Sequence, residues 1–219
     1  MDGRVSHKDY WEEIAKKEPK AEGEVWTNRY IENASTWAAL KILDLGCGRG
    51  YETAYCMGEG HDVVSADLAL GMIMHLQSKV PGSKGIVFDM AKSDWEIFKT
   101  NQFDAVIASL SLHYFDERTT ARIIKEIQRV LRPGGKLYAR VNSAYDFAYG
   151  AGNGDEIERN FYVDRERGTT KRYFDEKDVK RFFEPLGDLK YEEMKITYFG
   201  GKKVVFEIVV ENKKSTSCG

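Results

Sequence analysis

Ile42-Leu43-Asp44-Leu45 is a short apolar run that breaks at once into Gly46-Cys47-Gly48-Arg49-Gly50. No other stretch narrows the fold so far. A turn that leaves a buried strand this abruptly needs left-handed φ angles and close backbone approach, and a Cβ obstructs both. The residues beyond Gly50 read as a helix, whose first turn carries unpaired N–H groups and the positive end of a dipole. Strand, glycine turn and helix start together make a cradle for a nucleotide or another polar, partly anionic ligand. A second apolar run, Val63-Val64-Ser65-Ala66, ends in Asp67, about 20 residues beyond the loop. In doubly wound folds a carboxylate at that place accepts the hydroxyls of a ribose.

The rest of the chain alternates between the two periodicities. Strands are expected at 41–45, 62–67, 85–89, 103–109 and 136–142, with helical patterns between them. The clearest helix follows Asp116, a good N-cap, and carries Ile123, Ile124, Ile127, Val130 and Leu131 on one face. Arg132-Pro133-Gly134-Gly135 then stops it, because proline cannot continue the ladder and glycine takes the left-handed turn. Such alternation predicts a parallel sheet with right-handed crossovers. After Asn142 a Gly/Tyr-rich segment, 144–160, leads to a helix near 176–183. Two strands, 189–198 and 203–211, follow. The connection Phe199-Gly200-Gly201-Lys202 is too short for anything but an antiparallel pair.

Composition sets outer limits. At 219 residues and 42% hydrophobic, the chain can bury the core of one α/β domain and is short for two. Formal charge is −2, from 33 basic and 35 acidic residues, and no block of one sign invites a nucleic-acid backbone. No apolar run approaches a membrane span and the first 20 residues are charged throughout, so neither a membrane protein nor a secreted one is expected. Cys47, Cys56 and Cys218 are too scattered for a disulfide framework or a zinc site, which predicts reduced thiols, a cytoplasmic location and no metal. The segment from Asn212 onward reads as a disordered tail.

Five pieces stand in order: Leu43-Asp44-Leu45-Gly46-Cys47-Gly48-Arg49-Gly50; Asp67; Phe88-Asp89-Met90; the run 103–109 followed by Leu112-His113-Tyr114; and Val130-Leu131-Arg132-Pro133-Gly134-Gly135-Lys136-Leu137. In that set the chain resembles the class I S-adenosylmethionine-dependent methyltransferases over residues 42–211. The resemblance implies a single Rossmann-like, doubly wound α/β domain at 41–211. Its sheet has seven strands, mostly parallel, in the order 3-2-1-4-5-7-6 with strand 7 antiparallel. Residues 1–40 become a helical cap over the cofactor site. More narrowly, Ala139-Arg140-Val141-Asn142-Ser143, Arg172-Tyr173-Phe174-Asp175 and Val25-Trp26-Thr27-Asn28-Arg29-Tyr30 are similar to a small-molecule branch of that family, the tellurite-resistance-like proteins.

The resemblance also implies roles. S-adenosylmethionine is the cofactor and S-adenosylhomocysteine the product. Gly46, Cys47 and Gly48 form the cofactor loop. Asp44 either holds that loop or meets the cofactor's amino group. Asp67, with Leu68, takes the ribose, and Asp89 and Met90 the adenine. Ser109 ends the fourth strand beside the cofactor. His113 and Tyr114 follow it, where substrate-facing residues sit; His113 has the ordinary pKa of a base near neutrality, or packs under the loop. Arg140 and Asn142 share one face of the fifth strand, where the arginine pairs either with an acceptor's carboxylate or with an internal acid. Arg29 is a clamp for the cofactor's carboxylate or one half of a surface ion pair, and Tyr30 and Tyr149 are walls for the acceptor. The glycines and rings of 145–154 suggest a lid. The expected partner is a small-molecule acceptor, with the protein a monomer or weak homodimer. Three alternatives remain at this point: methylation of RNA or protein by the same core, a non-catalytic cofactor-binding module, and a nicotinamide-dependent oxidoreductase. The last fits poorly, because the loop reads G-x-G-x-G and not G-x-G-x-x-G.

Overall fold

A computed structural model of the chain describes residues 6–18, 23–32, 38–92, 94–164, 168–198 and 200–213. Cys218, Phe199 and the tail beyond 213 lie outside the described residues. In chain order the helices are α1 (His7–Ala15), α2 (Tyr51–Gly58), α3 (Leu70–Lys79), α4 (Glu117–Val130) and α5 (Glu176–Phe183). The strands are β1 (Lys41–Leu45), β2 (Asp62–Asp67), β3 (Lys84–Val87), β4 (Phe103–Ser109), β5 (Leu131–Asn142), β6 (Asp155–Glu158), β7 (Phe161–Asp164), β8 (Thr169–Arg172), β9 (Gly187–Tyr198) and β10 (Gly201–Asn212).

Seven strands form one sheet in the order β3-β2-β1-β4-β5-β10-β9. β1 to β5 pair in parallel, and β10 lies antiparallel between β5 and β9. This is the arrangement that the resemblance implied. The apolar residues of the strands divide between the two faces, as a period of two requires. Leu43 and Leu45 join Val106, Leu137 and Ile208 in the larger core, under Ile123, Ile127 and Phe183. Ile42 and Ile107 turn the other way and pack with Trp26, Ile31 and Cys56.

Local chemistry sets the helix ends. Asp116 caps α4 by accepting from the Thr119 N–H at 2.7 Å, and the helix buries Ile123, Ile124, Ile127 and Val130. The expected stop follows at once, with Gly134 at φ 72°. α5 opens with a capping box between Asp175 and Asp178.

A second, three-stranded sheet, β6-β7-β8, stands where the sequence suggested only a glycine-rich connection. Each of its strands is only four residues long, too short to show the period of two. Arg172, fully buried, stitches it to the rest. Its guanidinium donates to the Phe115 carbonyl at 3.4 Å, to the Arg159 carbonyl at 3.0 Å and to Glu158 at 2.6 Å, and lies 4.9 Å from the Phe161 ring.

Candidate active site

The carboxyl ends of β1, β2 and β4, with the segment after β3, surround a cavity of about 260 Å³. In an open α/β sheet this is the crevice where ligands bind, at the switch point of the strand order. The glycine turn forms its floor. Gly46 has φ 77°, and a Cβ there would stand 2.4 Å from the Cβ of Ser111, whose hydroxyl donates to the Leu45 carbonyl at 2.7 Å. Gly48 has φ 52° and a Cβ there would meet no protein atom.

Three aspartates face this cavity, with Glu24 and Glu52 in its wall. Asp67 accepts from the Gly48 N–H at 2.8 Å and the Ala69 N–H at 3.0 Å, so it ties the glycine turn to the start of α3. Burial pushes its carboxyl above the ordinary range, against the pull of those N–H groups. Asp44 is 2% exposed and accepts from the Thr53 hydroxyl at 2.6 Å. Burial raises its pKa to about 7, and neighbouring Glu52 and Asp67 push the same way. Asp89 accepts from the Ala91 N–H at 2.9 Å and lies at the far end, beside Phe88 and Met90. Desolvation pushes the Cys47 thiol well above its ordinary value, which disfavours the thiolate.

The wall opposite the sheet comes from the N-terminal segments. His7, Trp11 and Ile14 of α1 face the cavity at helical spacing. The helix is held there by Glu12, which accepts from the Leu70 and Gly71 N–H groups at 2.8 and 3.0 Å, capping α3. Arg49 donates to the Ile14 carbonyl at 3.2 Å and caps α1 in return. Gly23 and Glu24 continue the wall. Beyond them Trp26 donates its indole N–H to Ser109 at 3.0 Å and lies under the Arg140 guanidinium, 4.8 Å from its ring centre. Glu52, its carboxyl raised by burial, accepts from the Trp26 N–H at 3.1 Å and from the Thr27 hydroxyl.

The structure gathers Asp44, Gly46, Cys47, Gly48, Asp67, Leu68, Asp89, Met90, Ser109, Tyr114 and Arg140 around one cavity. Five other expected residues stand off its lining. Arg29 reaches Glu207 at 2.5 Å, as one half of an ion pair, and Tyr30 meets the same carboxylate at 3.3 Å. Arg140 shares Glu207 at 2.5 Å and takes Glu24 at 2.9 Å, so its charge is met inside the protein. His113 is buried beside Tyr114, ring centres 4.2 Å apart, and its pKa falls well below 6.5, first through desolvation and then through Lys203. Asn142 is buried at the end of β5. Tyr149 donates to the Tyr198 carbonyl at 2.9 Å, with the Lys203 ammonium 4.3 Å from its ring centre. The 145–154 segment contributes no residue to the lining, and Tyr145 and Phe147 point to solvent.

Sequence reasoning overlooked His7, Trp11, Ile14, Glu24, Glu52 and Tyr198. The spacing of the first three was the available signal. Leu110, at φ 53°, was hidden too: it turns the chain sharply from β4 into the 112–114 turn, and its N–H donates to the Arg140 carbonyl at 2.9 Å.

Fold and cavity together define a nucleotide-type ligand site at the switch point of a doubly wound sheet. Residues 43–139 match the family model described as a methyltransferase domain. Over those residues the chain is similar to the class I S-adenosylmethionine-dependent methyltransferases. The methyltransferase GfsG of Streptomyces halstedii is 31% identical over 137 residues, 60% of this chain and 48% of its own. The ubiquinone/menaquinone biosynthesis C-methyltransferase UbiE of Shewanella frigidimarina is 33% identical over 119 residues, 51% of this chain and 46% of its own. The chain thus spans about half the length of the curated relatives it matches. Among solved structures, a Methanosarcina mazei S-adenosylmethionine-dependent methyltransferase superposes with a TM-score of 0.69 at 20% identity, over 86% of this chain and 98% of that one. The Burkholderia thailandensis 1,6-didemethyltoxoflavin-N1-methyltransferase, solved with its substrate and S-adenosylhomocysteine, gives 0.62 at 18% identity, over 83% of this chain and 74% of that one.

Proposed function

We propose that this protein is a methyltransferase that uses S-adenosylmethionine to methylate a small-molecule acceptor in the cytoplasm. The observation that carries the reading is the cavity in which the glycine turn, Asp44, Asp67 and Asp89 converge. When bound, S-adenosylmethionine supplies an electrophilic methyl that passes in line to a nucleophile and leaves behind a neutral thioether.

The chain's own residues fit that cofactor. Asp67 keeps lone pairs for ribose hydroxyls beyond the two N–H groups it already accepts. Asp89 takes the adenine amino group, and Phe88 and Met90 wall the ring. Asp44 and the glycine turn face the amino-acid part, where an ammonium would draw the Asp44 carboxyl back to its ionised form. Open space above Gly48 admits the ligand where a side chain would fill it.

Catalysis in this reading is mainly positioning and dryness. Holding a nucleophile at near-attack distance is worth about 7–11 kcal/mol. A positive charge that disperses in the transition state gains from an enclosure without water, which α1, Trp26 and Tyr114 provide. Tyr114 stays a neutral phenol, because burial pushes its pKa well above 10. His113 stays a neutral imidazole next to it and suits hydrogen bonding better than proton storage. Arg140 positions the acceptor end through the Trp26 ring beneath it. Arg29 and Tyr30 support this end through Glu207, and Tyr149 through the Tyr198 carbonyl.

The small-molecule reading draws on balanced charge and on relatives whose names carry small acceptors, the UbiE and toxoflavin enzymes among them. Thermal unfolding with and without S-adenosylhomocysteine, with NADH in parallel, tests the cofactor. Saturation to 100 times the dissociation constant adds about 2.7 kcal/mol, a rise of about 5–11 °C. A rise with NADH alone, or none with either, overturns the reading.

A further inference from the structure

Arg140 lines the cavity, and its two edges meet acids of different character. The inner edge is fixed. Nε and Nη2 donate to one oxygen of Glu207 at 2.8 and 2.5 Å. That carboxylate is buried and also takes Arg29 at 2.5 Å and Tyr30 at 3.3 Å. The outer edge is held loosely. Nη1 and Nη2 donate to the two oxygens of Glu24 at 2.9 and 3.4 Å, in a forked pair. Glu24 lines the same cavity, belongs to no helix or strand and is 45% exposed at its side chain. Among the described residues Arg140 is its only ion-pair partner. Charge separates the two acids again: Arg29, Arg140 and Glu207 leave one positive charge over, and Glu24 balances it from the solvent side.

We propose that the outer edge of Arg140 is a carboxylate seat, held by Glu24 until the carboxylate of a bound ligand takes its place. The seat rests on the methyltransferase reading for its natural ligand, whose carboxylate belongs either to the acceptor or to the amino-acid end of the cofactor. A guanidinium has donors only, so an ammonium finds nothing to bond there. A neutral amide offers an oxygen but no charge, and once Glu24 swings out it would leave the guanidinium cluster one negative charge short. A carboxylate matches both the fork and the charge, and Glu24 itself is the demonstration. Exchange is cheap on the outer edge, because solvent reaches Glu24 and screens the pair. It is forbidden on the inner edge, where loss of Glu207 would strand two cations at once. Glu24 is therefore a specificity-determining residue: it admits ligands able to replace its charge.

Calorimetric titration with benzoate, benzamide and benzylammonium, first without added cofactor, tests the seat. Benzoate should bind more tightly than the other two. Glu24→Ala should strengthen benzoate about two- to fivefold, since no internal carboxylate has to leave, and should not strengthen benzamide. The double variant Glu24→Ala with Arg140→Gln removes a matched pair and leaves Glu207 with Arg29. In it benzoate should fall to the affinity of benzamide; should it fail to fold, Glu24→Ala alone decides. Repeating the titration with saturating S-adenosylhomocysteine, and with its decarboxylated analogue, identifies the source. A benzoate preference that survives S-adenosylhomocysteine assigns the seat to the acceptor. A preference lost with S-adenosylhomocysteine but kept with the analogue assigns it to the cofactor's carboxylate. Benzoate no tighter than benzamide in Glu24→Ala, benzoate weakened or unchanged by Glu24→Ala, or benzoate undiminished by the further loss of Arg140 overturns the seat. A wild type that S-adenosylhomocysteine does not stabilise fails the methyltransferase reading instead and leaves the benzoate result standing, so the two failures are distinct.

Discussion

The two ends of the cavity are built by different means. At the glycine-turn end the contacts are backbone: Gly46 passes against Ser111, and Asp67 ties the Gly48 and Ala69 N–H groups together. Apart from Ser111, all of it comes from the short stretch between β1 and α3. At the other end the contacts are side chains from distant parts of the chain, with Arg140 of β5 meeting Glu207 of β10 and Glu24 of the entry segment. Backbone geometry serves any chain that holds the same cofactor. Side-chain networks are free to vary, and each change there needs a compensating partner.

This contrast breaks first at Gly46. Gly46→Ala forces a Cβ into a left-handed position and against Ser111, and should cost about 2–5 kcal/mol of stability together with cofactor binding. Chemical denaturation measures it; a mutant as stable as wild type would show that the turn adapts.

Asp44 comes next. Its folded pKa, about 7, lies above the ordinary 3.8, so the folded state binds the extra proton between those values. Stability should therefore fall as pH rises from about 4 to about 7, and the full penalty should stand above that. Asp44→Asn should remove the slope and stabilise the ligand-free protein at pH 8 by about 2–4 kcal/mol. The same mutant should bind S-adenosylhomocysteine more weakly. Melting curves across pH, flat in wild type, would contradict this.

Asp67→Ala should lower S-adenosylhomocysteine affinity by about 1.5–3 kcal/mol in calorimetry, the range for hydrogen bonds to a charged group. At the other end Glu24→Gln should do far less. Glu24 is 45% exposed at its side chain and solvent screens its pair with Arg140, so about 0.2–1 kcal/mol is expected. A larger effect there than at Asp67 would reverse the comparison. Smallest of all, Tyr145→Ser with Phe147→Ser should leave S-adenosylhomocysteine affinity unchanged, because both rings stand in solvent away from the lining. A clear loss would restore a lid at 145–154.

The same division governs what could be read from the sequence. The glycine turn, Asp67 and the Asp116 cap were legible because each rests on local spacing: a turn, a strand end, a helical face; the order of the seven strands came only through the family resemblance. Arg140 and Arg29 were not resolved, since their partner Glu207 lies 67 and 178 positions away and no local pattern announces it. The β6-β7-β8 sheet escaped because four-residue strands carry too little alternation to outweigh the surrounding glycines. His113 was read from its ordinary titration range, and burial moved it out of that range.

The position of β10 has a consequence for how the protein is made. It fills the gap between β5 and β9, yet it leaves the ribosome after both. Until it arrives, β5 presents an open edge and Arg140 lacks the Glu207 carboxylate that its place in the sheet demands. A nascent chain therefore carries an Arg140 that only Glu24 can meet, beside an unfinished sheet edge. The Arg140 end of the cavity is thus the last part of the sheet to be completed, with the arrival of Glu207.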